Sequence, residues 1–94
     1  MRITHELKIM PEYFEPVIER KKTFEIRFND RNYQVGDWLL LKEIDKNCKF
    51  TGRECSARIG YIYDGNIGLL NGFVILGIEY EANWKRNPVI ESEA

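Results

Sequence analysis

ITHELKIMPEYFEPVIERKKTFEIRF, residues 3–28, decides the architecture because its hydrophobic period changes twice. From Ile3 to Ile9 the side chains alternate, with Ile3, His5, Leu7 and Ile9 on one face and Thr4, Glu6 and Lys8 on the other, the signature of a strand with one buried side. Pro11 then suits the first turn of a helix, where its missing N–H costs nothing, and Phe14, Val17 and Ile18 follow at i, i+3, i+4. The spacing predicts a helix over 11–21, with Pro16 inside it as a point of kinking or restart. Thr23 to Phe28 alternates again, and the simple expectation buries Phe24, Ile26 and Phe28 and leaves Thr23, Glu25 and Arg27 outside.

Downstream, Asn29-Asp30-Arg31-Asn32 and Val35-Gly36-Asp37 have loop and turn chemistry and lead into an apolar third strand, Trp38 to Leu41. After Thr51-Gly52, Cys55, Ala57, Ile59, Tyr61 and Tyr63 take alternate positions on a fourth strand, which reads as one core-facing row. A row of stacking tyrosines is the functional alternative at its end. Phe73 to Ile78 is apolar on both faces apart from Gly77, as in a central strand. Residues 83–94, with Trp84, Lys85-Arg86 and Asn87-Pro88, read as a flexible tail or a small accessory contact for RNA. About five strands and one helix after the first of them predict a single α+β domain over 1–94, built on a small curled or barrel-like sheet. The single helical pattern and the lack of GxGxxG or GxxxxGK[ST] argue against a doubly wound parallel sheet.

With 94 residues, 44% apolar, the chain has room for one core and can fold without a disulfide or metal staple. Its 14 Lys and Arg nearly cancel 15 Asp and Glu, so bulk charge cannot hold a polyanion and any such site must be a local patch. Cys48 and Cys55 are separated by six residues and His5 is the lone histidine, too few ligands for a structural zinc; no metal and no cofactor are expected. No apolar run approaches the ~20 residues of a membrane span, which points to a cytoplasmic protein with reduced thiols.

The local patch lies at the start of the second strand. Between Glu19 and Arg31, five basic residues (Arg20, Lys21, Lys22, Arg27, Arg31) minus three acidic ones (Glu19, Glu25, Asp30) leave an excess of +2. Glu25 and Arg27 project to one side roughly 6 to 7 Å apart. Exposed, they make an ion pair worth under about 1 kcal/mol. Under a pocket, Arg27 and Lys22 would bind phosphate or carbonyl oxygens while Glu25 accepts hydrogen bonds from a base.

Lys22-x-x-Glu25-x-Arg27 resembles the GxKxxExR signature of ASCH domains, small β-barrels of the PUA-like superfamily associated with RNA. His5-Glu6-Leu7-Lys8-Ile9, Phe14, the Lys21–Arg27 block, Asn29-Asp30-Arg31 and Val35-Gly36-Asp37 extend the likeness, to an ASCH-related branch of bacteria and phages, over most of the chain. Arg20 stands where the signature has glycine. The resemblance implies a PUA-like barrel with a cleft between barrel and helix, in which Lys22, Glu25 and Arg27 receive RNA or a nucleotide. His5 and Arg31 complete the candidate binding set. Some ASCH relatives hydrolyse an acyl amide on modified cytidine using the lysine and a threonine three positions later. Here that later position is Glu25 and the threonine, Thr23, is adjacent to Lys22, so the pairing is lost. Other relatives are ribonucleases.

Three functions stay open at this point. The chain is an RNA- or nucleotide-binding module; or it is a hydrolase of RNA or a modified nucleoside in which Lys22 and Glu25 are the catalytic candidates; or it is a protein-interaction domain whose signature residues brace the fold. His5 is either a core histidine or a pocket acid–base. Strict alternation puts Lys22 opposite Glu25 and Arg27, so the three meet only if the chain bends between helix and strand.

Overall fold

The computed structural model describes residues 2–81 and 85–86. Its elements in chain order are β1 (Thr4–Ile9), α1 (Pro11–Ile18), β2 (Phe24–Phe28), β3 (Trp38–Ile44), β4 (Phe50–Tyr63), β5 (Phe73–Tyr80) and the two-residue β6 (Lys85–Arg86). The sheet runs β1-β3-β4-β5-β2, with β1 parallel to β3 and the remaining neighbours antiparallel. It curls into a half-barrel whose concave face carries Leu7, Ile9, Leu39, Leu41, Cys55, Ala57, Ile59, Val74, Leu76 and Ile78. Phe14 and Val17 of α1 complete this core, and both are fully buried.

The two edges of the sheet, β1 and β2, lie close enough to be joined by side chains. Arg27 Nη2 donates to the Lys8 carbonyl at 2.9 Å and Arg31 Nη1 to the Glu6 carbonyl at 3.0 Å. Two carbonyls of the outer edge of β1 thus find charged donors in place of a neighbouring strand. An edge with satisfied carbonyls is also a poorer template for strand addition.

Several expectations need correction. The helix stops at Ile18, three residues short of 21, and continues through Pro16. It ends in a Schellman turn: the Lys21 amide donates to the Pro16 carbonyl at 2.8 Å and the Arg20 amide to Val17 at 3.0 Å. The faces of β2 are reversed, with Glu25 buried and Phe24, Ile26 and Phe28 about half exposed. Alternation fixes two rows without saying which faces inward, and at this edge the concave side meets β1 and the patch cations rather than more core. The row from Cys55 to Tyr63 is also broken, because a bulge between Ile59 and Tyr61 turns Tyr61 outward to 67% exposure. At the C-terminal end, Lys85–Arg86 pairs with Glu54 and Arg53 of β4, so this part of the expected flexible tail is a strand; residues 83–84 and 87–94 lie outside the described residues.

The starts of β1 and β3 are locked by a buried acid. Asp37 accepts from the His5 ring Nε2 at 2.8 Å and from the backbone amides of Gln34 and Ile3 at 3.1 and 3.3 Å. Tyr33 packs its ring edge-on to His5 at 4.8 Å. Burial raises the Asp37 carboxyl, but the donors from His5, Gln34 and Ile3 outweigh it and hold the group below its ordinary 3.8. A depressed carboxyl stabilises the fold above its unfolded-state pKa, and this stabilisation is lost as the pH falls through the folded value. Asp37→Asn should therefore cost about 1 to 3 kcal/mol in urea unfolding at pH 7. The variant should also lose less stability than wild type between pH 4 and pH 2. Equal wild-type and variant midpoints at pH 7 would show that the lock contributes nothing.

Candidate functional site

The Schellman turn that ends α1 also builds the bend on which the site depends. Arg20 adopts φ 63°, the left-handed conformation that a glycine enters without strain and another residue only at a cost of about 1 to 2 kcal/mol. The position where the signature has glycine is thus occupied by an arginine in a glycine-like conformation, its guanidinium 5.0 Å from the centre of the Tyr80 ring. The amides of Lys21 and Lys22 both donate to the Pro16 carbonyl, so the chain reverses before β2 begins at Phe24. Freed from the alternation of the strand, Lys22 swings to the same side as Glu25 and Arg27.

Glu25 is the centre of the cluster, its side chain only 5% exposed. Oε2 accepts from Lys22 Nζ at 2.5 Å. Oε1 accepts from Arg27 Nε at 3.0 Å and Nη2 at 2.8 Å. Lys22 Nζ also donates to the Phe24 carbonyl, two residues on, at 2.6 Å. Two cations around one carboxylate leave the cluster with a net charge of +1. A buried carboxylate held this way acts as a fixed mould for both cations.

The cluster opens into a cleft of about 420 Å³ between the end of β1, the start of α1 and β2. Ile9, Met10, Tyr13, Phe24 and Ile26 form apolar walls around it. The Lys22 ammonium lies 4.9 Å from the centre of the Phe24 ring and 5.7 Å from that of Tyr13, so the cation stands between two aromatic walls. The combination is a polar, positively charged floor under flat apolar sides.

Of the residues expected at the site, Lys22, Glu25 and Arg27 converge. His5 does not join them: it is buried on Asp37 beneath Tyr33, away from the cleft lining. Arg31 also lies outside the lining, where it serves the edge carbonyl of Glu6. Sequence reasoning missed Tyr13 and Met10, whose only signal was their place at the head of a helix whose buried stripe runs through Phe14 and Val17. Phe24 is a further wall that the pattern hides, because an alternating apolar row has the same signature as a core row.

A second charged cluster, unforeseen in sequence, pins α1 to the sheet from the other side. Arg53 pairs with Glu15 of α1 and, through Nε at 3.1 Å, with the buried Glu43, which also accepts from the Thr51 hydroxyl at 2.7 Å. The Arg53 guanidinium lies 4.7 Å from the centre of the Phe14 ring. Among the described residues no three His, Cys, Asp or Glu side chains are grouped to hold a metal ion. Cys55 is buried, and burial, reinforced by the charge of Glu25, pushes its thiol up to about 12, which makes it a packing residue with little thiolate at neutral pH. No helix among the described residues is long and apolar enough to cross a membrane.

Arg20→Gly and Arg20→Ala both remove the contact with Tyr80, and only glycine relieves the left-handed strain. The glycine variant should be the more stable of the two by about 1 kcal/mol in urea unfolding. Equal stability would mean that position 20 carries no backbone strain.

Over 60 residues the chain is 47% identical to a protein of Escherichia phage P2 described as "Uncharacterized 12.9 kDa protein in GpA 3'region", an alignment covering 64% of this chain and 54% of that protein. The aligned part thus spans about half the length of that relative. Residues 4–78, which run from the start of β1 through most of β5 and contain the whole Lys22, Glu25 and Arg27 cluster, match the family described as "Domain of unknown function (DUF3850)", and the chain belongs to that family.

Proposed function

We propose that the cleft binds one nucleotide of a single-stranded RNA, and that the half-barrel is a PUA-like fold of ASCH type. The observation that carries this reading is the engagement of both Glu25 oxygens by Lys22 and Arg27, which fixes two cations at the floor of an apolar-walled cleft. After its bonds to Glu25 and Phe24, Lys22 keeps one ammonium proton for a ligand. Arg27 spends Nε and Nη2 on Glu25 and Lys8 and leaves Nη1 without a protein partner among the described residues. These donors suit phosphate or carbonyl oxygens, and Tyr13 and Phe24 suit the face of a base. Glu25 then orients the cations, and does not itself read the donor edge of a base as the sequence alone suggested.

The hydrolytic reading is the weaker one. As a general base Glu25 would have to leave the two cations that hold it, and Thr23 is exposed at the turn beside Lys22. His5, the imidazole that could have served as a second acid–base group, is committed to Asp37 outside the cleft lining.

Fluorescence anisotropy with a panel of short single-stranded RNAs tests the proposal. Binding should weaken with salt at a log–log slope of about -1.5 to -2, the value for two or three neutralised phosphates. Tyr13→Ala, at a half-exposed wall position, should leave the urea midpoint unchanged and weaken binding roughly tenfold. A wild-type protein that binds no RNA in low salt, or binds with no salt dependence, refutes the reading. A Tyr13→Ala variant that is folded and binds like wild type removes the aromatic wall from it.

A further inference from the structure

The convex face of the sheet bears an aromatic array that the cleft does not explain. Phe24, Ile26 and Phe28 stand outward on β2, and the register places them beside Gly77, Ile75 and Phe73 of β5. On the far side of β5, Gly77 faces Tyr61 and Ile75 faces Tyr63 of β4. One row across three strands therefore reads Phe24, Gly77, Tyr61. With strands about 4.8 Å apart, the two aromatic side chains spring from positions roughly 9 to 10 Å apart with no side chain between them. A flat ring can therefore enter between them over the bare backbone of Gly77.

Gly77 has no backbone reason to be glycine. It is not among the glycines with positive φ, and a Cβ added there would meet nothing closer than the Tyr61 Cβ at 3.4 Å, an ordinary contact. Glycine inside a strand gives up propensity and chain entropy. What it provides at this place is the open floor between two rings. The slot is also continuous with the cleft, because Phe24 is a wall of both and carries the Lys22 ammonium at 4.9 Å from its ring centre. A positive charge at the rim favours an anionic ligand with planar rings over an uncharged apolar partner.

We propose that the slot formed by Phe24, Gly77 and Tyr61 stacks a second base of the same RNA strand whose neighbouring nucleotide occupies the cleft. This rests on the nucleotide-binding reading of the cleft and extends it to a two-base footprint that wraps the β2 edge.

The test compares adenosine monophosphate with a trinucleotide carrying one 2-aminopurine, bound to wild type, Tyr61→Ala and Gly77→Leu. Tyr61 is largely exposed, so its removal leaves the fold intact even where leucine at 77 does not, and each variant is checked by its urea midpoint. In wild type the trinucleotide should bind more tightly than the mononucleotide and its 2-aminopurine fluorescence should be quenched. Both variants should lose about tenfold in trinucleotide affinity together with the quenching, with mononucleotide affinity unchanged. If the trinucleotide binds and neither variant alters it, the slot is overturned while the cleft reading stands. If wild type binds neither ligand, both fall. A concentration-dependent dimer in sedimentation that Tyr61→Ala disperses, with no effect on the trinucleotide, overturns the slot in favour of a contact between copies of the chain.

Discussion

The grip of Glu25 on Arg27 does two jobs with one side chain. The carboxylate fixes the guanidinium through two hydrogen bonds, and the guanidinium in turn reaches Lys8 O on the opposite edge of the sheet. Edge closure and cleft floor are thus the same contact. An open curled sheet leaves two unpaired strands, and a charged bridge between them satisfies backbone carbonyls without adding another strand. The carboxylate is nearly buried, and two cations and their hydrogen bonds compensate its desolvation. Its position therefore constrains the cleft-facing cations and the curvature of the domain together.

The same economy appears in how the helix is attached. Its apolar stripe, Phe14 and Val17, enters the core, and Arg53 ties Glu15 on its flank to Glu43 in the sheet. The left-handed Arg20 then stops it and sends Lys22 back toward the cleft. Helix end, bend and cation placement are three consequences of one C-terminal motif. Because α1 is only eight residues long, its own hydrogen bonds would not sustain it in water, and tertiary anchoring must. The cleft wall that Tyr13 supplies is consequently as rigid as the anchors beneath it.

Two faces of one edge strand carry different chemistry. The inner row of β2, Glu25 and Arg27, is ionic, and the outer row, Phe24, Ile26 and Phe28, is apolar and half exposed. The exposed aromatic row leaves apolar surface in contact with water along this edge. That an apolar row lies outside and a carboxylate inside also explains why hydrophobicity alone misassigned this strand.

Period and spacing in the chain by themselves determined the order of strand, helix and strands, the single-domain size, the helix stripe of Phe14 and Val17, and the clustering of basic residues around Glu25. These are local properties, written in side-chain periodicity and in turn residues such as Gly36 and Gly52. Only tertiary structure decided which row of β2 turns inward, that a bulge at Gly60 sends Tyr61 outward, that His5 belongs to Asp37, and that Arg31 serves the edge of β1. The reason is the same in each case. Alternation has two equivalent senses, and the choice between them is made by what lies across the curled sheet, at sequence separations of 19 to 32 residues for the contacts that matter most.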